Sequence, residues 1–192
     1  PLFPYTTLFR SLLKLQMDYA ERRGASEVLA EAADRVQSMA LVHTLLYGSA
    51  RLSTVDADEY IRTLVGLLFR GARWDLSAVE IIFELEKLSL DPDRAVSLGL
   101  IVNELVTNAL KYGVGLPGPG KLSVRLSARN GSGLLVVSDT GCRLPEGFDP
   151  GTTDSLGLQL VLSLCRQLGG GLSVSAGETT DFCVHFPIEG VM

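Results

Sequence analysis

The run "AVSLGLIVNELVTNALKYG", Ala95 to Gly113, constrains this chain more than any other stretch. Its apolar residues have the spacing of a long, mostly buried helix, yet it carries Asn103, Glu104, Asn108 and Lys111. Burying an unpaired amide is costly, about 2–7 kcal/mol. These groups therefore need protein partners, or they face something polar that binds there. Leu100, Val106, Ala109 and Leu110 keep the other side of the helix apolar.

Helical spacing puts Glu104, Asn108 and Lys111 on one stripe, with Asn103 at its edge. Carboxylate, amide oxygen and ammonium in that order suit a hydrated Mg²⁺ beside a phosphate, because the ion prefers hard oxygen ligands and keeps several waters. From the helix alone, a solvated face of an amphipathic helix reads equally well.

The surrounding pattern indicates the fold class. Asp91 is positioned to cap the helix, with Pro92 at its first position. A helix over roughly Asp56 to Arg70 precedes it, and "VEIIFELEK" alternates like a strand. The loop "GVGLPGPG" follows, then strands at "KLSVRLSAR" and "GLLVVSD", a helix over Leu156 to Leu168 stopped by "GGG", and strands at "LSVSA" and "FCVHFP". Interleaved helices and strands, with neighbouring strands close enough for hairpins, imply a two-layer α/β sandwich over 54–192. Upstream, the tail of one helix (Leu12 to Tyr19) and a second from Ser26 to about Tyr47 form an antiparallel hairpin. Alone it is too small to bury both apolar faces, which suggests pairing with a second copy.

Composition excludes several classes. With 192 residues, 46% hydrophobic and 20% charged, the chain can build a real core and is not of disordered type. A net charge of −5 offers no basic patch, so nucleic acid and anionic membrane are poor partners. No apolar run approaches the roughly 20 residues of a membrane span. Cys142, Cys165 and Cys183 are odd in number without metal-ligand spacing, which reads as free thiols in a reducing cytoplasm.

Two further motifs bear on chemistry. In "VVSDTG", Asp139 ends an apolar strand, and Gly141 permits a turn in which backbone approaches a flat ligand. An ionised carboxylate there accepts hydrogen bonds but donates none, favouring adenine over guanine; a plain turn aspartate is the alternative. In "TDSLGLQLV", Asp154 or Ser155 caps a helix with Gly157 in its first turn, where unpaired N–H groups suit phosphate oxygens. An ordinary capped helix is the alternative there.

Together, "NELVTNALKYG … SDTG … DSLGLQLV" resembles the ATP-binding domain shared by sensor histidine kinases, gyrase, Hsp90 and MutL. With the upstream "LLKLQ … RVQSMALVHTLLY … DEYIRTLVGLL", the chain from Leu12 onward resembles the HWE-like, second HisKA type of bacterial sensor histidine kinase. The resemblance implies a Bergerat-type sandwich in which Asn108 holds Mg²⁺ and Glu104 organises water. It has Lys111 meeting phosphate, Tyr112 and, less directly, Asn103 beside the nucleotide, and Asp139 taking the adenine amine with Gly141 close to the ring. Gly157, Leu158 and Gln159 would offer backbone to the phosphates, behind a lid from Cys142 to Ser155. It implies ATP and Mg²⁺ as cofactors, and transfer of the γ-phosphoryl group to a histidine and then to the receiver domain of a response regulator. Homodimerisation through a four-helix bundle goes with it.

Two departures from the family pattern stand out. Arg143 replaces the second glycine of the usual D-x-G-x-G box, where it would either stabilise phosphate charge or stiffen the lid. The "HRVKNNLQ"-like acceptor segment is absent, and "LFPYTTLFRS" stands in its place. That string is similar to the translation of a sequencing-library adapter, so residues 1–11 are expected to be an assembly artefact on a longer natural protein. His43 is expected in packing or interface duty and His185 in a structural role, so neither is the acceptor. The chain as given is expected to bind nucleotide better than it autophosphorylates and to form a weak dimer or a monomer. A nucleotide-binding regulatory module without transfer activity is the main alternative. An anti-sigma-type serine kinase is the other, against which the helical hairpin counts.

Overall fold

The computed structural model describes residues 54–71, 79–114, 120–141, 144–145, 147–153 and 155–188. The hairpin expected over 12–50 with His43, the segment 1–11, and Cys142, Arg143 and Asp154 lie outside them. The elements run β1 (Val55–Asp56), α1 (Ala57–Gly71), β2 (Val79–Leu85), β3 (Ser89–Leu90) and α2 (Pro92–Asn108). A π-turn (Ala109–Gly113) continues α2, followed by β4 (Gly120–Arg129) and β5 (Ser132–Asp139). A 3-10 turn (Pro150–Thr152), α3 (Leu156–Gln167), β6 (Gly171–Ala176) and β7 (Thr180–Pro187) complete the series.

A five-stranded sheet in the order β2-β4-β5-β7-β6 forms one layer. β2 runs parallel to β4, with α2 in the crossover between them, and the other pairs are antiparallel. Period-2 alternation sends Leu122, Val124 and Leu126 of β4, Leu135 and Val137 of β5, and Phe182, Val184 and Phe186 of β7 into the core. The helices form the second layer, with α2 packed against both α1 and α3. The two-layer α/β sandwich read from the sequence is therefore the fold of the described chain.

Local chemistry sets the helix ends. Asp91 caps α2 as expected: its side chain accepts from Arg94 N at 3.0 Å, and Pro92 occupies the first turn, where no N–H partner is needed. From Ala95 to Val106 α2 is buried on every side, which is why its run is apolar almost without interruption. α3 ends in a Schellman turn. Gly169 takes φ +74°, Gly169 N–H donates to Arg166 O (3.0 Å) and Gly170 N–H to Cys165 O (2.8 Å). A side chain at position 170 would collide with the carbonyl of His185, so the helix end is pressed directly onto β7.

This turn fixes the direction of α3. β6 starts opposite His185 and ends with Ala176 opposite Thr180, and α3 runs back antiparallel to it. Twelve helical residues and six strand residues both span roughly 18–20 Å. The N-terminus of α3 therefore lies over the Thr180 end of the sheet.

Candidate nucleotide site

The Thr180 end is also where Asp139 stands. The register places Leu122, Asp139 and Thr180 side by side on β4, β5 and β7, on the face covered by helices. Asp139 and Thr180 are both buried, an arrangement the apolar strands around them do not require. Thr180 went unnoticed in the sequence because only the β5–β7 register makes it a neighbour of Asp139. The β4–β5 ladder continues one residue further: Thr140 N–H donates to Lys121 O (3.2 Å) and Lys121 N–H to Thr140 Oγ1 (3.0 Å).

Behind Asp139 the chain turns tightly. Gly141 N–H donates to Asp139 Oδ1 at 3.0 Å, an Asx-type turn that needs no larger residue at 141. A Cβ at Gly141 would stand 2.3 Å from Gly113 O, and a Cβ at Gly113 would stand 2.3 Å from Asp139 Oδ1. The C-terminal end of α2 is thus seated on the carboxylate.

Along α2 the candidate residues divide. Glu104 is 7% exposed, which rules out the solvated-face reading of its stripe; Asn108, one turn on, is half-buried. Lys111 departs from that stripe, which corrects the spacing read from the sequence. After Asn108 the helix widens to i→i+5 bonding, with Val114 N–H donating to Ala109 O at 2.9 Å. In such a turn the residues above Asn108 are those four and five on, Tyr112 and Gly113, and not Lys111. Tyr112 is 61% exposed, the one exposed large hydrophobic residue among those described.

Asn103 belongs to a different face. It lies one turn beyond Gly99, and a Cβ at Gly99 would overlap the Tyr60 hydroxyl of α1. Among the described residues, neither Asn103 Oδ1 nor Tyr60 Oη has a hydrogen-bond partner, and burial pushes the Tyr60 hydroxyl's pKa up. Asn103 thus shares the stripe of Gly99 rather than that of Glu104 and Asn108.

At the start of α3, Ser155 holds the N-cap position but makes no side-chain capping bond, and no acidic residue follows in the first turn. Its N–H donates to Thr153 Oγ1 (3.2 Å). Gly157 and Leu158 are buried in the first turn. Gln159 differs from its expected use: its N–H is committed to Ser155 O (3.0 Å), and its side chain donates to Thr153 O (3.1 Å), anchoring the preceding loop. His185 lies far from this site, exposed on β7 opposite Leu134 and Gly171. Its ring fills no core, and its structural part is played by the carbonyl against Gly170.

Comparisons with known proteins agree with this layout. A histidine kinase family model, HisKA_2, matches residues 7–72. The model described as histidine kinase-, DNA gyrase B-, and HSP90-like ATPase matches residues 93–190. The sensor histidine kinase PdtaS of Mycobacterium tuberculosis is 32% identical over 187 residues, 93% of this chain and 36% of the relative. Blue-light-activated histidine kinase 2 of Erythrobacter litoralis is 31% identical over 103 residues, 53% of this chain and 30% of the relative. The chain thus spans about a third of the length of these curated relatives. Among solved structures, the histidine kinase domain of the Erythrobacter litoralis EL346 blue-light activated kinase superposes with TM-score 0.69 at 23% identity, covering 95% of this chain and 93% of that one. Acinetobacter baumannii AdeS gives 0.61 at 19% identity, covering 98% and 96%. By its sheet, its polar sheet end and these matches, the chain belongs to the histidine kinase-, DNA gyrase B- and HSP90-like ATPase family, on its histidine kinase branch.

Proposed function

We propose that this chain is the kinase core of a two-component sensor histidine kinase. In this reading it binds Mg-ATP and directs the γ-phosphoryl group to a histidine, from which the receiver domain of a response regulator takes it. One observation carries the reading: Asp139 with Thr180, the end of α2, and the uncapped start of α3 meet at one end of the sheet. Asp139 takes the adenine amine as a hydrogen-bond acceptor, with Gly141 backbone beside the ring. The first-turn N–H groups of α3 at Gly157 and Leu158 receive phosphate oxygens, since a helix start offers both donors and positive potential. Lys111, and Arg143 by its charge alone, add positive charge, and Tyr112 flanks the nucleotide.

The donor set on α2 fits Mg²⁺. Glu104 and Asn108 offer hard oxygens one turn apart, and the described residues hold no cluster of three or more His, Cys, Asp or Glu. An ion that takes one or two protein oxygens and completes its shell with water and phosphate matches that set. When bound, it would neutralise charge on the transferring phosphoryl group. The protein's own share is positioning, with the amide of Asn108 holding the ion and Glu104 orienting water. No described helix is long and apolar enough to cross a membrane, and we place the core in the cytoplasm, as a dimer in its full-length form.

Calorimetric titration of the purified chain with a non-hydrolysable ATP analogue and Mg²⁺ tests the reading. Asn108→Ala and Asp139→Ala are each expected to weaken binding on the order of a hundredfold, the scale of losing a charge-assisted hydrogen bond or metal ligand. An intact chain that binds no nucleotide would overturn it.

A further inference from the structure

Resting on that nucleotide reading, we propose that Gly113, seated by the π-turn, is a positioning residue that sets base specificity by holding the Asp139 carboxylate in a single orientation. Gly113 is not among the glycines with positive φ, so its lack of a side chain serves space and not backbone conformation. The space it leaves is occupied by Asp139. A Cβ at 113 would stand 2.3 Å from Oδ1, 2.7 Å from Cγ and 3.3 Å from Cβ of that residue. On its other side, Oδ1 accepts the N–H of Gly141 at 3.0 Å. Gly141 in turn fits against the carbonyl of Gly113 only because it carries no Cβ. Oδ1 is therefore held between the α-carbon of one glycine and the N–H of another, which fixes the plane of the carboxylate.

The π-turn makes this seat. With i→i+4 bonding continued, residue 113 would not fall over Asn108 or point towards β5. The i→i+5 step at Ala109–Val114 delivers it there. Single π-turns inside α-helices cluster at functional sites, and here the turn has an identifiable task. A carboxylate of fixed orientation reads a base by accepting from an exocyclic amine, and a site built around one such bond rejects a base that presents a carbonyl instead. A carboxylate pushed out of its plane loses that selectivity while leaving the phosphate end of the site untouched.

The test is calorimetric titration of the full chain and of Gly113→Ala with three ligands, each with Mg²⁺: non-hydrolysable analogues of ATP and of GTP, and inorganic tripolyphosphate. In Gly113→Ala the ATP analogue should bind at least about tenfold more weakly, with the ATP-over-GTP preference narrowing by a similar factor. Tripolyphosphate should bind as before. An unchanged preference in Gly113→Ala, or an equal loss for all three ligands, would overturn the inference alone. Failure of the unsubstituted chain to bind any of the three would overturn the nucleotide reading and this inference with it. Should Gly113→Ala not fold, the cycle is closed on Asp139→Ala, which removes the Oδ1 and Cγ atoms that the added methyl group would meet. If Gly113 acts through Asp139, adding Gly113→Ala to that background changes neither the melting temperature nor tripolyphosphate binding. A further loss of either would count against the inference.

Discussion

The two long helices over the sheet begin in opposite ways. α2 starts closed: Asp91 accepts from Arg94 N, Pro92 removes a donor, and Asp93 adds negative charge to the first turn. α3 starts open: Ser155 makes no capping bond, and no carboxylate lies in its first turn. An uncapped start leaves its first N–H groups without a side-chain acceptor and loses about 1 kcal/mol of helix stability relative to a good cap. The closed start lies away from the proposed site and the open one over the Asp139 end of the sheet. The capped start thus serves helix stability, and the uncapped one coincides with the proposed phosphate site.

Three experiments would break or sharpen that contrast. The largest effect is expected from Ser155→Asp, which closes α3 in the manner of α2. The new carboxylate would satisfy the N–H groups and repel the triphosphate. The melting temperature should rise while binding of the ATP analogue weakens on the order of a hundredfold, about 2.7 kcal/mol. A variant that melts higher and binds as before would show that the open start is not a phosphate site.

The next effect concerns the opposite end of α3, which is dry. Burial pushes the Cys165 thiol from 9.0 up to about 11, with Arg166 partly offsetting it. The unfolded chain loses this proton first. The thiol's contribution is therefore complete below pH 9 and lost as pH rises through about 11, on the order of 2 kcal/mol in all. Cys165→Ala should flatten the fall in unfolding free energy between pH 9 and 11, as read by denaturant titration at each pH. Tyr60 and Cys183 shift in the same direction by burial and share part of that window, so the variant should reduce the fall and not abolish it. An equally steep fall in the variant would place the alkaline weakness elsewhere.

The smallest effect belongs to α2. Asp91→Ala should lower stability by about 1 kcal/mol and leave nucleotide affinity unchanged. Altered affinity would mean that the start of α2 communicates with the site, and the two helices would no longer divide the work as described.

Much of this layout was legible from short-range chemistry. Asp91–Pro92 announces a helix start and "LGGG" a helix stop because caps and left-handed turns are decided within a few residues. Alternation in β4, β5 and β7 gave the strands, and "SDTG" put Asp139 at a strand end with Gly141 in the turn. What escaped the sequence depends on distant partners. The π-turn is stabilised where Gly113 meets Asp139, and helical spacing alone put Lys111 on the wrong stripe. Thr180 becomes a site neighbour only through the β5–β7 register. The pairing of β1 with β3 rests on two residues from each strand, too few to alternate. Asn103 looked like an edge member of the Glu104 stripe; what the sequence did not show is that Tyr60 of α1 packs against Gly99, one turn before it.

The bonds between Thr140 and Lys121 carry the β4–β5 ladder past Asp139, so its carboxylate stands on backbone already rigid before anything binds. Fixing one residue's backbone costs about 1–2 kcal/mol of conformational entropy. Here that loss is incurred during folding, so a ligand reaching Asp139 meets a preformed acceptor and bears none of it. The base end of the proposed site is thereby preorganised.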